Sequence, residues 1–168
     1  EKISNFRDKT FRVYSVDNKK IIENREGIKF FLEYMQPNNT ITETFIRNMH
    51  HINSKIDFRN KIVIDAGPEC GDTPLYFASK GATVYAFEPI KEHFDAMTKN
   101  LSLNEKLSEL IIPINAAVGK DGLLTFYRDN STDIGTSASF VYNKHGPNAR
   151  KTEVQGMSLS TILKKYNI

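Results

Sequence analysis

Residues 61–81 read KIVIDAGPECGDTPLYFASKG, and this stretch decides which fold the sequence predicts. Its first six residues, KIVIDA, form a short β-branched run that is typical of a buried parallel strand. A loop containing Gly67 and Gly71 follows, and residues 73–80 then have the pattern of a helix that ends at Gly81. A strand, a glycine-containing loop and a helix in this order predict the first unit of an α/β fold.

Two further strands follow with the same strand–helix order. TVYAF at 83–87 predicts a second buried strand, residues 91–108 a helix, and LIIPINAAV at 110–118 a third strand. Pro113 has no N–H group to donate to a sheet, so we expect the third strand to lie at an edge or to carry a bulge. Right-handed crossovers place the strands in the spatial order 3-2-1, which is half of a Rossmann-like doubly wound sheet. No later segment supplies the strand on the other side of strand 1, so we expect the sheet to be incomplete at the C-terminus.

The segments on either side of this unit predict additional elements. Residues 1–60 are expected to form a separate N-terminal strand and helical cap region, ahead of a Rossmann-like domain at 61–168. The expected elements are a strand at 10–16, helices at 19–35 and 40–54, strands at 123–128 and 152–157, a long polar loop at 129–150 and a helix at 158–166. Asp17 and Asn18 are expected to cap the helix at 19–35.

The composition is that of an ordinary globular protein. The chain has 168 residues, of which 39% are hydrophobic and 26% charged, with a net charge of +3 from 23 basic and 20 acidic residues. This balance argues against nucleic-acid binding, which usually requires a basic stripe. Cys70 is the only cysteine, so no intrachain disulfide can form. No stretch approaches the ~20 apolar residues of a membrane span, and no signal peptide opens the chain, so we expect a cytoplasmic protein that does not bind membranes.

The loop after the first strand predicts the kind of ligand. Gly67 allows a sharp turn and lets a ligand approach the backbone, and Gly71 does the same where the helix begins. The amino end of that helix offers free N–H groups. The spacing is G-x-x-x-G, not the G-x-G-x-x-G of a dinucleotide pyrophosphate site. The acid before the loop, Asp65, suits a cationic amine and would repel a bare pyrophosphate. S-adenosylmethionine combines an amine, a carboxylate and a nucleoside without phosphate, so we expect it as the cofactor.

The residues after the second and third strands complete the predicted site. Glu88, at the end of the second strand, can accept hydrogen bonds from both ribose hydroxyls, and Pro89 would flank the adenine ring. Asn115 and Ala116 end the third strand, where a polar side chain followed by a small one can read the adenine edge and leave room for the ring. These residues and the glycine loop follow consecutive parallel strands, and α/β sheets bind ligands at the carboxyl ends of such strands.

The sequence also resembles a known family. IVIDAGPECGDTPLYFASKG at 62–81, VYAFEP at 84–89, NAAVG at 115–119 and SLSTILKKYNI at 158–168 are similar to the FkbM-type methyltransferases. The resemblance covers about residues 61–168 and implies a class I S-adenosylmethionine-dependent methyltransferase that acts on a hydroxyl of a sugar, glycan or natural product. The cofactor contacts that it implies are Asp65, Gly67, Gly71, Glu88, Asn115 and Ala116. The loop departs from the family at 68–70, where PEC stands in place of the common Ala-Asn-Ile.

Two alternative functions stay open. A nicotinamide-dependent oxidoreductase would use Glu88 in the same way on the ribose of NAD, although Asp65 and the missing third glycine argue against it. A non-catalytic S-adenosylmethionine-binding module is the other, because the residues identify no general base.

No metal site is expected, since His50 and His51 are adjacent and metal pairs on a helix lie at i and i+4. The expected partners are a small-molecule or glycan acceptor and, at the unpaired edge of strand 1, a second copy of the chain.

Overall fold

The computed structural model describes residues 11–35, 42–47, 56–128 and 149–168, which form a mixed α/β protein. Within these residues, nine strands make three three-stranded sheets and are accompanied by four α-helices. The strands are β1 (Phe11–Val16), β2 (Lys19–Asn24), β3 (Lys29–Phe31), β4 (Ile62–Ala66), β5 (Thr83–Phe87), β6 (Ile111–Ile114), β7 (Ala117–Val118), β8 (Gly122–Arg128) and β9 (Arg150–Met157). The helices are α1 (Asp72–Ser79), α2 (Lys91–Ser102), α3 (Glu105–Ser108) and α4 (Leu159–Tyr166), with a 3₁₀ turn at Leu32–Tyr34 and a π-helical turn at Thr42–Ile46.

The predicted helix at 19–35 is wrong, because this segment forms β2, β3 and the 3₁₀ turn. β1 and β2 pair in antiparallel fashion and leave Asp17 and Asn18 as a two-residue loop. Both loop residues have positive φ, 48° and 62°, as a type I′ hairpin turn requires, and Asp and Asn tolerate this conformation better than most side chains. These residues therefore turn a hairpin and cap no helix. The pair Ile21-Ile22 fits the spacing of a buried strand as well as that of a helix, which explains the error.

The predicted parallel unit is present as the sheet β4–β5–β6, with β5 in the centre. This is the order 3-2-1 that the sequence predicts for these three strands. Pro113 of β6 lies opposite Ala86 and is exposed, so the edge position accommodates a residue that cannot donate a sheet hydrogen bond. The predicted length of the third strand is wrong, because β6 ends at Ile114 and residues 117–118 form β7 in a different sheet.

Apolar side chains cover both faces of the parallel sheet. Alternate residues of β5 point to opposite faces. Val84 and Ala86 are fully buried on one face together with Leu75 of α1. Phe87 is fully buried on the other face together with Ile162 of α4. Each large side chain buried in this way stabilises the fold by about 1.5–3 kcal/mol, so the helices hold the strands and the loops that follow them in place.

Three other predicted helices, at 73–80, 91–108 and 158–166, are present with different ends. The helix predicted at 91–108 is divided into α2 and α3. α1 begins at Asp72, one residue before the predicted start. α4 confirms the last predicted helix, and Oγ of Ser158 caps it by accepting a hydrogen bond of 3.2 Å from the N–H of Thr161.

β7, β9 and β8 form the third sheet, in which the central β9 is parallel to β7 and antiparallel to β8. β8 and β9 confirm the strands predicted at 123–128 and 152–157. Most of the predicted polar loop at 129–150 and of the predicted helix at 40–54 lies outside the described residues. None of the described helices is long and apolar enough to cross a membrane.

Candidate functional site

The seven residues predicted to bind the cofactor lie at one edge of the parallel sheet, where its strands end. Three chain segments that are distant in sequence meet at this edge, because parallel strands have their carboxyl ends on the same side. The residues are Asp65, Gly67 and Gly71 at the end of β4 and in the loop after it, Glu88 and Pro89 after β5, and Asn115 and Ala116 after β6. We call this set the carboxyl edge.

The loop between β4 and α1 adopts a conformation that requires both of its glycines. Gly67 has φ +85° and Gly71 has φ +91°, values that residues with side chains rarely adopt. The N–H of Gly67 donates to the carbonyl of Phe87 at 2.9 Å, and that of Gly71 donates to the carbonyl of Pro68 at 2.8 Å. A Cβ on Gly67 would meet no atom within 4 Å, whereas a Cβ on Gly71 would lie 3.0 Å from Cγ of Met97. Gly67 therefore presents open backbone at the edge, and Gly71 allows close packing against α2.

Glu88 is buried beside this loop and holds it in place. The residue is 2% exposed, and its carboxylate accepts hydrogen bonds from the N–H of Glu69 at 3.0 Å and of Ile90 at 2.8 Å. Burial raises the pKa of Glu88 to about 7 against the effect of these hydrogen bonds, and the charges of Glu69 and Asp65 raise it further. Each carboxylate oxygen can accept two hydrogen bonds, so bonds to a ribose would be additional to this anchoring role.

Asn115 joins the ends of β5 and β6. Its Nδ2 donates to the carbonyl oxygens of Glu88 at 2.7 Å and of Pro89 at 3.2 Å. The residue is exposed, and the hydrogen bonds among the described residues leave its Oδ1 able to accept one from a ligand. Ala116 is 3% exposed and belongs to the apolar cluster around Phe87. Asn115 thus faces the open side of the carboxyl edge, whereas Ala116 lies in the core beneath it.

Two side chains in the first turn of α1 also belong to the edge, and the sequence reasoning missed both. Oγ1 of Thr73 donates to Oδ2 of Asp65 at 2.5 Å. Asp72 is 7% exposed, its Oδ2 accepts a hydrogen bond from the hydroxyl of Thr44 in the π-helical turn, and Sγ of Cys70 lies 3.9 Å from its Oδ1. Burial raises the pKa of Asp72 to about 7 despite the hydrogen bond from Thr44, and neighbouring carboxylates add to the rise. The sequence feature that could have identified both residues is the Asp-Thr pair directly after Gly71.

Carboxyl groups with raised pKa values are concentrated at the carboxyl edge. Burial and the charge of Glu43 also raise the pKa of Glu69, so Glu69, Asp72 and Glu88 all ionise less readily than exposed carboxylates. Among the described residues, the charges that raise these three pKa values belong to the carboxylates of Glu43, Asp65 and Glu69. Nδ1 of the buried His93 lies 3.8 Å from Oε1 of Glu88. Among the described residues, no three His, Cys, Asp or Glu side chains are arranged to hold a metal ion. A ligand with a positive charge would relieve the repulsion between these groups.

Comparisons of the chain with protein-family models, with curated proteins and with solved structures found no match. The functional argument therefore depends on the residues and geometry of the carboxyl edge.

Proposed function

We propose that this chain binds S-adenosylmethionine at the carboxyl edge and is a methyltransferase. One observation carries the proposal: open backbone at Gly67 lies at the same edge as three carboxyl groups, those of Glu69, Asp72 and Glu88, whose pKa values are raised by burial and by other carboxylates among the described residues. S-adenosylmethionine has a sulfonium and an ammonium group, which such an edge attracts, and no phosphate that the edge would repel. In this proposal β4, β5 and β6 are the first half of a Rossmann-like doubly wound sheet of the class I methyltransferase type.

The residues of the edge fit the chemical groups of this cofactor. Asp65, whose carboxylate is oriented by Thr73, would accept a hydrogen bond from the methionine amine. Glu88 would bind the ribose hydroxyls through the acceptor capacity that its two backbone partners leave. Asn115 would accept a hydrogen bond from the adenine amine at Oδ1. A hydrogen bond to a charged group contributes about 1.5–3 kcal/mol, so Asp65 and Glu88 would supply the largest single contributions.

The proposed reaction is methylation of a hydroxyl on a sugar, glycan or small natural product, which follows from the resemblance to FkbM-type methyltransferases. The bound cofactor would supply a methyl group on an already activated carbon, so the protein's main task is to position donor and acceptor. A hydroxyl acceptor also needs a group that removes its proton. His93 does not suit that role, because it is 4% exposed and burial lowers its pKa.

Calorimetric titration with S-adenosylmethionine, S-adenosylhomocysteine and NAD tests the proposal on wild type, Asp65→Asn and Asp95→Asn. Asp95 lies on α2, where it pairs with Lys91, so its variant removes one negative charge away from the edge. We expect saturable binding of the first two ligands and none of NAD. Asp65→Asn should weaken both by about 10- to 100-fold, and Asp95→Asn should leave them unchanged. Binding of NAD alone would favour the oxidoreductase instead, and a folded chain that binds none of the three would contradict the cofactor assignment.

A further inference from the structure

Within the part of the chain that the structure describes, the outer edge of β3 is covered by two asparagine side chains and not by another strand. β3 pairs with β2 on one side. On its other side, the N–H of Lys29 donates to Oδ1 of Asn104 at 2.9 Å, and its carbonyl accepts from Nδ2 of the same side chain at 2.8 Å. The N–H of Phe31 donates to Oδ1 of Asn100, in α2, at 2.9 Å. The two asparagines satisfy backbone groups that a neighbouring strand would otherwise pair with.

Asn100 is bonded to the glycine loop as well. Its Nδ2 donates to the carbonyl of Cys70 at 2.9 Å, directly before Gly71. Asn100 is fully buried, so water does not compete for these hydrogen bonds. The remaining side-chain hydrogen bond of Asn104 goes to the carbonyl of Asn100, within the same helical segment. Asn100 is therefore the asparagine that connects the backbone of β3 with the backbone of the loop.

We propose that docking of the N-terminal sheet controls the conformation of the glycine loop through Asn100, which acts as a positioning residue for the cofactor site. The inference rests on the proposed function for the identity of the cofactor. The hydrogen bond from Phe31 fixes the amide plane of Asn100, and this directs Nδ2 at the carbonyl of Cys70. Cys70 stands between Glu69 and Gly71, whose N–H groups make two of the hydrogen bonds that shape the loop. Holding its carbonyl keeps both neighbours in the conformation that exposes Gly67.

A pair of matched variants, Asn100→Leu and Asn104→Leu, separates this role from a general contribution to stability. Leucine has nearly the shape of asparagine, and both variants remove buried hydrogen bonds to β3, but only Asn100→Leu removes a bond to the loop. The measurements are the dissociation constant for S-adenosylmethionine and amide exchange at Glu69 and Gly71, with Ala86 of the central strand as the reference for global opening. We expect Asn100→Leu to weaken binding about tenfold and to speed exchange at the two loop amides relative to Ala86. Asn104→Leu should change neither.

A second pair, Phe31→Pro and Phe31→Ala, keeps Asn100 intact and addresses the other end of the connection. Phe31 has φ −70°, which proline adopts without strain. Both variants lose the phenyl ring, whose centroid lies 5.8 Å from that of the Tyr34 ring. Only proline lacks the N–H that donates to Oδ1 of Asn100. We expect loop exchange to be faster, and binding weaker, in the proline variant than in the alanine variant.

Equal effects of the two variants within each pair would overturn the coupling and leave the proposed function standing. Conversely, a wild-type protein that binds no S-adenosylmethionine would refute the cofactor assignment, and the difference in loop exchange within each pair would still decide whether Asn100 couples β3 to the loop.

Discussion

Replacement of the buried Asp72 by asparagine should stabilise the protein, and the gain should increase as the pH rises from 5 to 8. The pKa of Asp72 is about 7 in the folded protein, against an ordinary value of 3.8, because the residue is buried. The folded state thus keeps a proton that the unfolded chain releases. The free energy of unfolding therefore falls as the pH rises from the unfolded pKa to the folded pKa of this group. Asparagine cannot ionise, and its carbonyl oxygen can still accept the hydrogen bond from Thr44.

The size of the effect follows from the two pKa values of Asp72. With about 1.4 kcal/mol for each pKa unit, ionised Asp72 at pH 8 costs about 4 kcal/mol relative to a carboxyl group with an unshifted pKa. At pH 5 the folded protein holds the proton while the unfolded chain is already largely ionised, and the cost of the raised pKa is then about 2 kcal/mol. The wild type should therefore lose about 2–3 kcal/mol more than Asp72→Asn between pH 5 and pH 8.

Urea unfolding at pH 5, 6, 7 and 8, followed by far-ultraviolet circular dichroism because the chain has no tryptophan, measures this difference. Asp95→Asn is the matched control, since Asp95 is partly exposed and pairs with Lys91 on the surface of α2. Its unfolding free energy should follow the wild type across the whole range. Parallel curves for Asp72→Asn and the wild type would show that Asp72 ionises like an exposed residue, which would refute the argument from burial. A constant offset between two such parallel curves would come from packing and not from charge.

Three further substitutions test the packing around the carboxyl edge and the parallel sheet. Gly71→Ala should destabilise the protein by about 1–3 kcal/mol in urea unfolding, because a Cβ there meets Cγ of Met97 at 3.0 Å and φ is +91°. Gly67 has a similar backbone conformation, but a Cβ there would enter open space. If Gly67→Ala lowered the free energy of unfolding as much as Gly71→Ala, the contact with Met97 would contribute nothing. Ile162→Ala removes a fully buried side chain between α4 and the parallel sheet and should cost about 2–5 kcal/mol, with a lower Tm. A loss under about 1 kcal/mol would mean that α4 does not pack there in solution.

The parallel unit can be predicted from the sequence because its signals are local. β4 and β5 are short apolar runs bounded by glycine, and the order of the strands follows from the handedness of the crossovers. The N-terminal segment lacks such signals. Residues 19–35 place apolar side chains at spacings that fit a helix, and the strand β3 depends on Asn100 and Asn104, which lie far along the chain. Contacts of that kind leave no trace in a local pattern, so the hairpin is predictable only from the Asp17-Asn18 turn.

The position of the candidate site was predictable for a similar reason, whereas the orientation of its side chains was not. Residues that follow parallel strands must meet at one edge, whatever their side chains do. Whether a side chain faces a ligand or the core depends on tertiary packing. Glu88 turns inward to two backbone N–H groups, and Ala116 enters the apolar cluster around Phe87. Asp72 becomes buried because Thr44, from a segment that precedes β4, packs over it.

The charges at the carboxyl edge argue for a binding function there, and not at a cleft lined in part by Gly27, Lys80 and Asn104. In that cleft, Lys80 pairs with Glu26 at 2.8 Å, so at least these two charges compensate each other. At the carboxyl edge, burial of Asp72 costs stability at neutral pH, and an asparagine could accept the same hydrogen bond from Thr44 without that cost. Carboxyl groups with raised pKa values concentrate at functional sites. The hydrogen bond from Thr44 offsets only part of the effect of burial on Asp72. A bound cation would stabilise its ionised form further, which is why these carboxyl groups support the proposal of a cationic cofactor.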